Sequence, residues 1–271
     1  MSGEPRMLVE QDRAELMAFL EVEPYYGMFF MGNLLAMGME HPNLDYWGLH
    51  RDGQLVAVMM RYIENWSVIA SDRDQSLDLT WFRERLNLTH DVGRIMGKPW
   101  IVEFLQEGMP NHKPKRIFHD FFCSLKRENF QPGSTEGVFK LSLADQEAVH
   151  ELYAGEEFAH ITGETYRRRL VDSGCRAFAL ADPDGSGKLI AASMTTVETP
   201  TAAMVGSVFT KQTARGRGYG SRVTAALCAE LLAQGKEACL FYDNPSAGVI
   251  YRRIGFQDIG FYDMIDFERT Y

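Results

Sequence analysis

The chain has 271 residues and a formal net charge of -9, a balance that argues against nucleic acid or an anionic membrane as its main partner but leaves room for a local basic pocket. Its length fits one large domain or two of ordinary size. Cys123, Cys175, Cys228 and Cys239 lack metal-type spacing, no apolar run approaches the roughly 18 residues of a membrane span, and the N-terminus shows no cationic-then-apolar leader; the expectation is a metal-free, cytoplasmic protein.

In chain order, apolar spacing predicts helices over residues 11–20 and 28–39. Residues 46–50, 55–62 and 66–70, separated by Asp52-Gly53 and Glu64-Asn65, read as a three-stranded antiparallel meander. Residues 77–86 read as a helix, and 100–105 and 117–125 as strands. The polar break at 131–135, Gln-Pro-Gly-Ser-Thr, is the expected domain boundary, giving domains 1–131 and 136–271.

A second round of elements follows. Residues 138–142 alternate as a strand, Ser142 and Asp145 form a capping-box pattern opening a helix to Tyr153, and 164–171 read as another helix. Three strands, 176–181, 189–197 and 202–209, then repeat the meander, so the order of elements predicts a tandem duplication. A helix over 220–234, a strand over 238–242, a helix opened by Asn244-Pro245 and a closing strand over 256–267 complete the chain.

Between the third strand of the second half and its helix lies Arg215-Gly216-Arg217-Gly218-Tyr219-Gly220-Ser221. Glycines at a helix start let an anion approach backbone amides that lack intrahelical acceptors, and arginine side chains add forked donors for phosphate. Position 221 is Ser, which removes the dinucleotide fingerprint, and no Gly-Lys-Ser/Thr closes a P-loop. The equivalent stretch of the first half carries Asp72 and Asp74 and no glycine, so a single working anion site is expected, in the second half.

Arg215-x-x-Gly218-x-Gly220, followed by Asn244-x-x-Ala247-x-x-x-Tyr251-x-x-x-Gly255-Phe256, resembles the GNAT acyltransferase superfamily over residues 136–271. For the first half the resemblance is only in the order of elements. It implies a mixed α+β fold of tandem GNAT-like domains, each a mostly antiparallel twisted sheet flanked by helices. It also implies acetyl-CoA or another acyl-CoA as co-substrate, without a metal. Residues 215–221 would hold the pyrophosphate, Val208, Phe209 and Thr210 would line the pantetheine arm, a main-chain N–H near Phe209 would polarise the thioester carbonyl, and Asn244 would lie near the arm. Tyr251 matches the tyrosine that protonates the departing thiolate, a role suited to a phenol that stays protonated at neutral pH.

The implied reaction is direct acetyl transfer to a small-molecule or peptide amine. Neutralising an amine of pKa near 10.4 at pH 7 costs roughly 4.6 kcal/mol, so a base or a water chain is needed. Glu198, Glu157 and His160 are the candidates. The bland alternatives stand beside these roles: Asn244 as a simple N-cap, Tyr251 as a packed aromatic, the three bases as solvated surface groups. At the level of the protein, the alternative is a non-catalytic coenzyme A-binding sensor or partner.

Overall fold

The computed structural model describes residues 5–71, 77–154, 161–171 and 173–268. The chain forms two compact units, one of Met1–Phe121 with Gly260–Tyr271, the other of Phe122–Ile259. The first runs β1 (Arg6–Met7), α1 (Arg13–Glu21), α2 (Met28–Met37), β2 (Leu44–Arg51), β3 (Gln54–Tyr62), β4 (Asn65–Ala70), α3 (Thr80–Asn87), β5 (Arg94–Gly97), α4 (Pro99–Glu107) and β6 (Pro114–Leu125). Then follow β7 (Phe139–Lys140), α5 (Gln146–Tyr153), α6 (Gly163–Val171), β8 (Ala177–Ala181), β9 (Leu189–Glu198), β10 (Ala202–Thr210), α7 (Tyr219–Ala233), β11 (Glu237–Tyr242), α8 (Pro245–Ile254) and β12 (Gln257–Phe267). The two series match element for element, which is the predicted mixed α+β tandem duplication.

The unit boundaries differ from the sequence break. Residues 131–135 lie inside the second unit, where the Gln131 amide donates to the Ile254 carbonyl at 2.8 Å. The end of β12 belongs to the first unit, pairing antiparallel with β5 through Asp263↔Gly97 to Asp266↔Arg94. The last residues of β6 belong to the second, where the Cys123 thiol approaches the Leu240 carbonyl of β11 at 3.5 Å. The final strand of each series therefore completes the other unit. Local pattern gives no warning of this, because a strand reads the same whichever sheet receives it.

The segment 100–105 is helical, not extended. Pro99 occupies the first helical position, and Ile101, Val102 and Leu105 fall on one buried face. β5, four residues long, was too short to register as alternation.

In the second unit, α5 and α6 pack on one group of sheet residues, with Val149, Leu152, Tyr153, Ile161 and Tyr166 against Ala177, Ala192, Met194 and Phe209. Val223 of α7 packs with a different group, Leu180, Ile190 and Ala191. Ser142 and Asp145 make the expected capping box, and Gly235, at φ +78°, ends α7 in the left-handed conformation with the Lys236 amide bonded to the Leu231 carbonyl.

Candidate functional site

The site is built where β10 and β11 come apart. These strands pair in parallel through Ala202↔Glu237, Ala203↔Ala238 and Met204↔Cys239, and there the ladder ends, although β10 continues to Thr210 and β11 to Tyr242. Against β9 on its other side, β10 bulges between Gly206 and Phe209, so that Ser207 and Val208 stand opposite one residue, Ser193. Ser207 has φ +52°, a conformation a β-carbon resists, and two side chains hold it. The Tyr153 hydroxyl donates to its carbonyl at 2.5 Å and Arg169 Nη1 donates to its Oγ at 3.0 Å. Phe209 is buried against Tyr153, with ring centroids 5.5 Å apart, while Val208 and Thr210 are partly exposed.

Beyond Thr210 the chain turns into α7. Gly216 and Gly218 have φ +77° and +76°, and a Cβ at either would meet open space, so conformation rather than crowding calls for glycine there. Gly220 is different: its Cβ would stand 3.1 Å from Thr210 Oγ1, so its smallness lets α7 start close to the strand end. The first amide to enter the helical ladder is that of Arg222, bonded to the Gly218 carbonyl. The consecutive amides of residues 216–221, through Arg217, Tyr219 and Ser221, donate to no acceptor among the described residues. These unbonded amides lie at the positive end of the fifteen-residue α7, an arrangement of donors suited to an anion. Arg215 Nε is tied to the Thr210 carbonyl at 3.1 Å, which leaves its Nη atoms for a ligand.

On α8, Asn244 caps the helix, its Oδ1 accepting from the Ser246 amide at 2.9 Å. Tyr251 is 9% exposed and its hydroxyl makes no hydrogen bond among the described residues. Burial raises its ionisation above the usual phenol range, with Cys123 and Cys228 nearby adding to the effect. Tyr242 contrasts with it: its hydroxyl donates to Asp258 at 2.7 Å and accepts from Arg252 at 2.7 Å, so it is already committed. Gly248, which motif reading passed over, lets α8 lie against this ring; its Cβ would sit 2.5 Å from Tyr242 Cε2.

Glu198 does not fit the role of base. It pairs with Ala203 at the start of β10, the end of the strand remote from the glycine turn. Its carboxylate accepts from Arg176, Lys236 and Thr195, and the side chain is 6% exposed. Burial works to raise its ionisation, but these hydrogen bonds and charges outweigh it and hold it below the usual range. A carboxylate so occupied is a structural anchor. Glu157, His160, Asp72 and Asp74 lie outside the described residues. A concavity of about 340 Å³ borders Lys140, Arg176 and Glu230 but shares no residue with the glycine turn, the bulge or Tyr251.

Among the described residues, the first unit shows no equivalent parting of strands. All four residues of β5 pair with β4, from Asn65↔Arg94 to Val68↔Gly97. The buried Lys98 amino group, ion-paired with Glu23, donates to the Ala70 carbonyl at 3.3 Å just beyond that ladder.

Residues 186–264 match the family model described as FR47-like protein. Among solved structures, a tandem GNAT protein from the clavulanic acid biosynthesis pathway aligns over 98% of both chains at 15% identity with a TM-score of 0.62. This chain has the tandem GNAT fold. A Drosophila protein aligns over 98% of both chains at 15% identity and TM-score 0.66, and a putative GNAT acetyltransferase of Novosphingobium aromaticivorans over 92% of this chain and 97% of that one, at 16% identity and 0.60. At these identities the GNAT likeness is one of fold. No curated protein matches the sequence. Sequence reading of the GNAT motifs missed Ser207, Tyr153 and Arg169. A Gly-Ser pair interrupting an apolar strand was the available signal for the bulge, and Arg169, three residues after buried Tyr166 on α6, was the signal for an inward-facing cation.

Proposed function

We propose that this chain is an N-acyltransferase that moves an acetyl group from acetyl-CoA to a small-molecule or peptide amine, with one working site, in the second unit. The observation that carries the proposal is the parting of β10 and β11 after Met204↔Cys239, next to a bulge and a row of free amides. An extended pantetheine arm can take up the unpaired strand edges, and a pyrophosphate suits the amides of residues 216–221 with the free Nη atoms of Arg215 and with Arg217.

Acetyl-CoA supplies a thioester whose C–S bond breaks as the C–N bond to the amine forms. The bulge at Ser207 and Val208 turns main-chain N–H groups out of the β9 ladder, next to Phe209, where one can stabilise negative charge on the carbonyl oxygen. The Tyr251 hydroxyl gives its proton to the departing sulfur and regains one from solvent, which receives the proton lost by the amine. Its unbonded hydroxyl and raised ionisation support this role, since it reaches the reaction protonated at any neutral pH. Asn244, fixed by its cap, keeps its amide nitrogen available to the arm. Glu198 has no part in this scheme. The four cysteines, free and buried, fit direct attack in a reducing, cytoplasmic setting.

Calorimetry with acetyl-CoA and a thiol-release screen across amines, amino acids, aminoglycosides and peptides test the reading. Binding and release are expected. Absence of binding at millimolar donor rejects the acyl-CoA site, and binding without release from any acceptor points to a coenzyme A sensor.

A further inference from the structure

Arg169 is a half-buried cation on α6 with no carboxylate partner among the described residues. Its Nη1 donates to Ser207 Oγ at 3.0 Å and to Met194 Sδ at 3.3 Å, and these neutral groups are its only side-chain hydrogen-bond partners among the described residues. The charges and polar groups bearing on it are Arg168, a like charge, and the Cys175 and Tyr153 side chains, both buried. Burial pulls its ionisation down from the ordinary value, which measures how poorly the site solvates the cation, yet a guanidinium stays charged at physiological pH. A hydroxyl and a thioether do not offset the desolvation of a guanidinium; an anion does.

The remaining donors are also arranged for one. With Nη1 occupied, Nε and Nη2 form the side-on edge of the fork, the geometry that receives both oxygens of a carboxylate. Neither atom has a hydrogen-bond partner among the described residues. This edge lies beside the bulge residue Ser207, on the α5 and α6 side of β10.

We propose that Arg169 reads a carboxylate on the acceptor, so that the preferred acceptor is an amino acid or a related amine whose carboxylate sits within one or two carbons of the nitrogen. This inference rests on the acyltransferase reading above. The short spacing follows from the same bulge serving both ends: its main chain faces the transferred group, and its side chain touches the guanidinium. A purely structural Arg169, present only to brace Ser207, predicts no such preference.

The test compares acids with their amides. N-acetyl derivatives of the common amino acids and of β-alanine are titrated into the intact protein with coenzyme A present, each beside its carboxamide. At least one acid is expected to bind tenfold or more tightly than its amide, with the parent amino acid outpacing the parent amide by a similar factor in kcat/KM. Arg169→Met is expected to bring acid and amide within twofold, and Arg169→Lys to recover part of the difference. If the variants fail to fold, the wild-type comparison still decides. Absence of any acid-over-amide preference across the panel, in protein that binds acetyl-CoA, overturns the role of Arg169 and leaves the acyltransferase reading intact. Failure to bind acetyl-CoA at all overturns both.

Discussion

Gly220 stands so close to Thr210 that a Cβ on it would meet Thr210 Oγ1 at 3.1 Å. The end of β10 and the start of α7 are thereby held together, which fixes the amides of the turn relative to the strand that parts from β11. Gly220→Val forces Thr210 to move and tilts the first turn of the helix. Acetyl-CoA affinity measured by calorimetry is expected to fall tenfold or more, with a change in melting temperature of only a few degrees. Gly218→Ala acts through φ instead, and strain of about 1 kcal/mol is expected in denaturant unfolding.

Tyr251→Phe removes the unbonded hydroxyl while keeping the ring against Tyr242 and Phe256. Turnover is expected to fall about 100-fold with donor affinity unchanged, in line with the usual contribution of a general acid. Because burial raises the ionisation of this phenol, the pH–rate profile should show no falling limb from Tyr251 below pH 10.

The buried phenols Tyr46, Tyr153, Tyr166, Tyr251 and Tyr262 are all raised, by burial first of all. A raised folded pKa means that the folded state holds its protons longer than the unfolded chain. The resulting stability is fully present below the unfolded value of about 10 and is lost as pH rises from there through the folded values. Ionisation of these five phenols should therefore appear as a late step in tyrosinate absorbance that coincides with loss of circular dichroism above pH 10.

Glu198→Gln leaves Lys236, 18% exposed, without its carboxylate and Arg176, 12% exposed, with Glu230 alone. A loss of about 3 kcal/mol is expected in urea unfolding, as for a broken buried pair, with specific activity retained by the folded fraction. In the wild type the depressed ionisation of Glu198 contributes stability above the ordinary carboxylate pKa, and that contribution disappears as pH falls through the lowered value. A hundredfold loss of kcat in folded E198Q would restore Glu198 as the base.

Gly255, at φ +111°, ends α8 where an added Cβ would lie 2.0 Å from the Asn129 carbonyl oxygen. Gly255→Ala is expected to cost about 3 kcal/mol or more, read as a lowered melting temperature, because backbone strain and overlap with rigid main chain act together.

Much of this was legible from local pattern. The helix of α7, the meanders, the caps at Ser142 and Asn244 and the glycines of residues 216–220 depend on interactions within a few positions of sequence, and the amino acids at those positions specify them. Tertiary structure alone decided the rest. Which strands β6 and β12 pair with, where β10 parts from β11, and which side chains meet Ser207 all depend on partners far along the chain. Tyr153 lies 54 residues from the carbonyl it holds, and Arg169 lies 38 from its hydroxyl. Glu198 shows the difference most directly. At the end of a strand its sequence position allows a free carboxylate, and only the approach of Arg176 and Lys236, set by long-range packing and by the low dielectric of a half-buried site, turns it into an anchored ion pair.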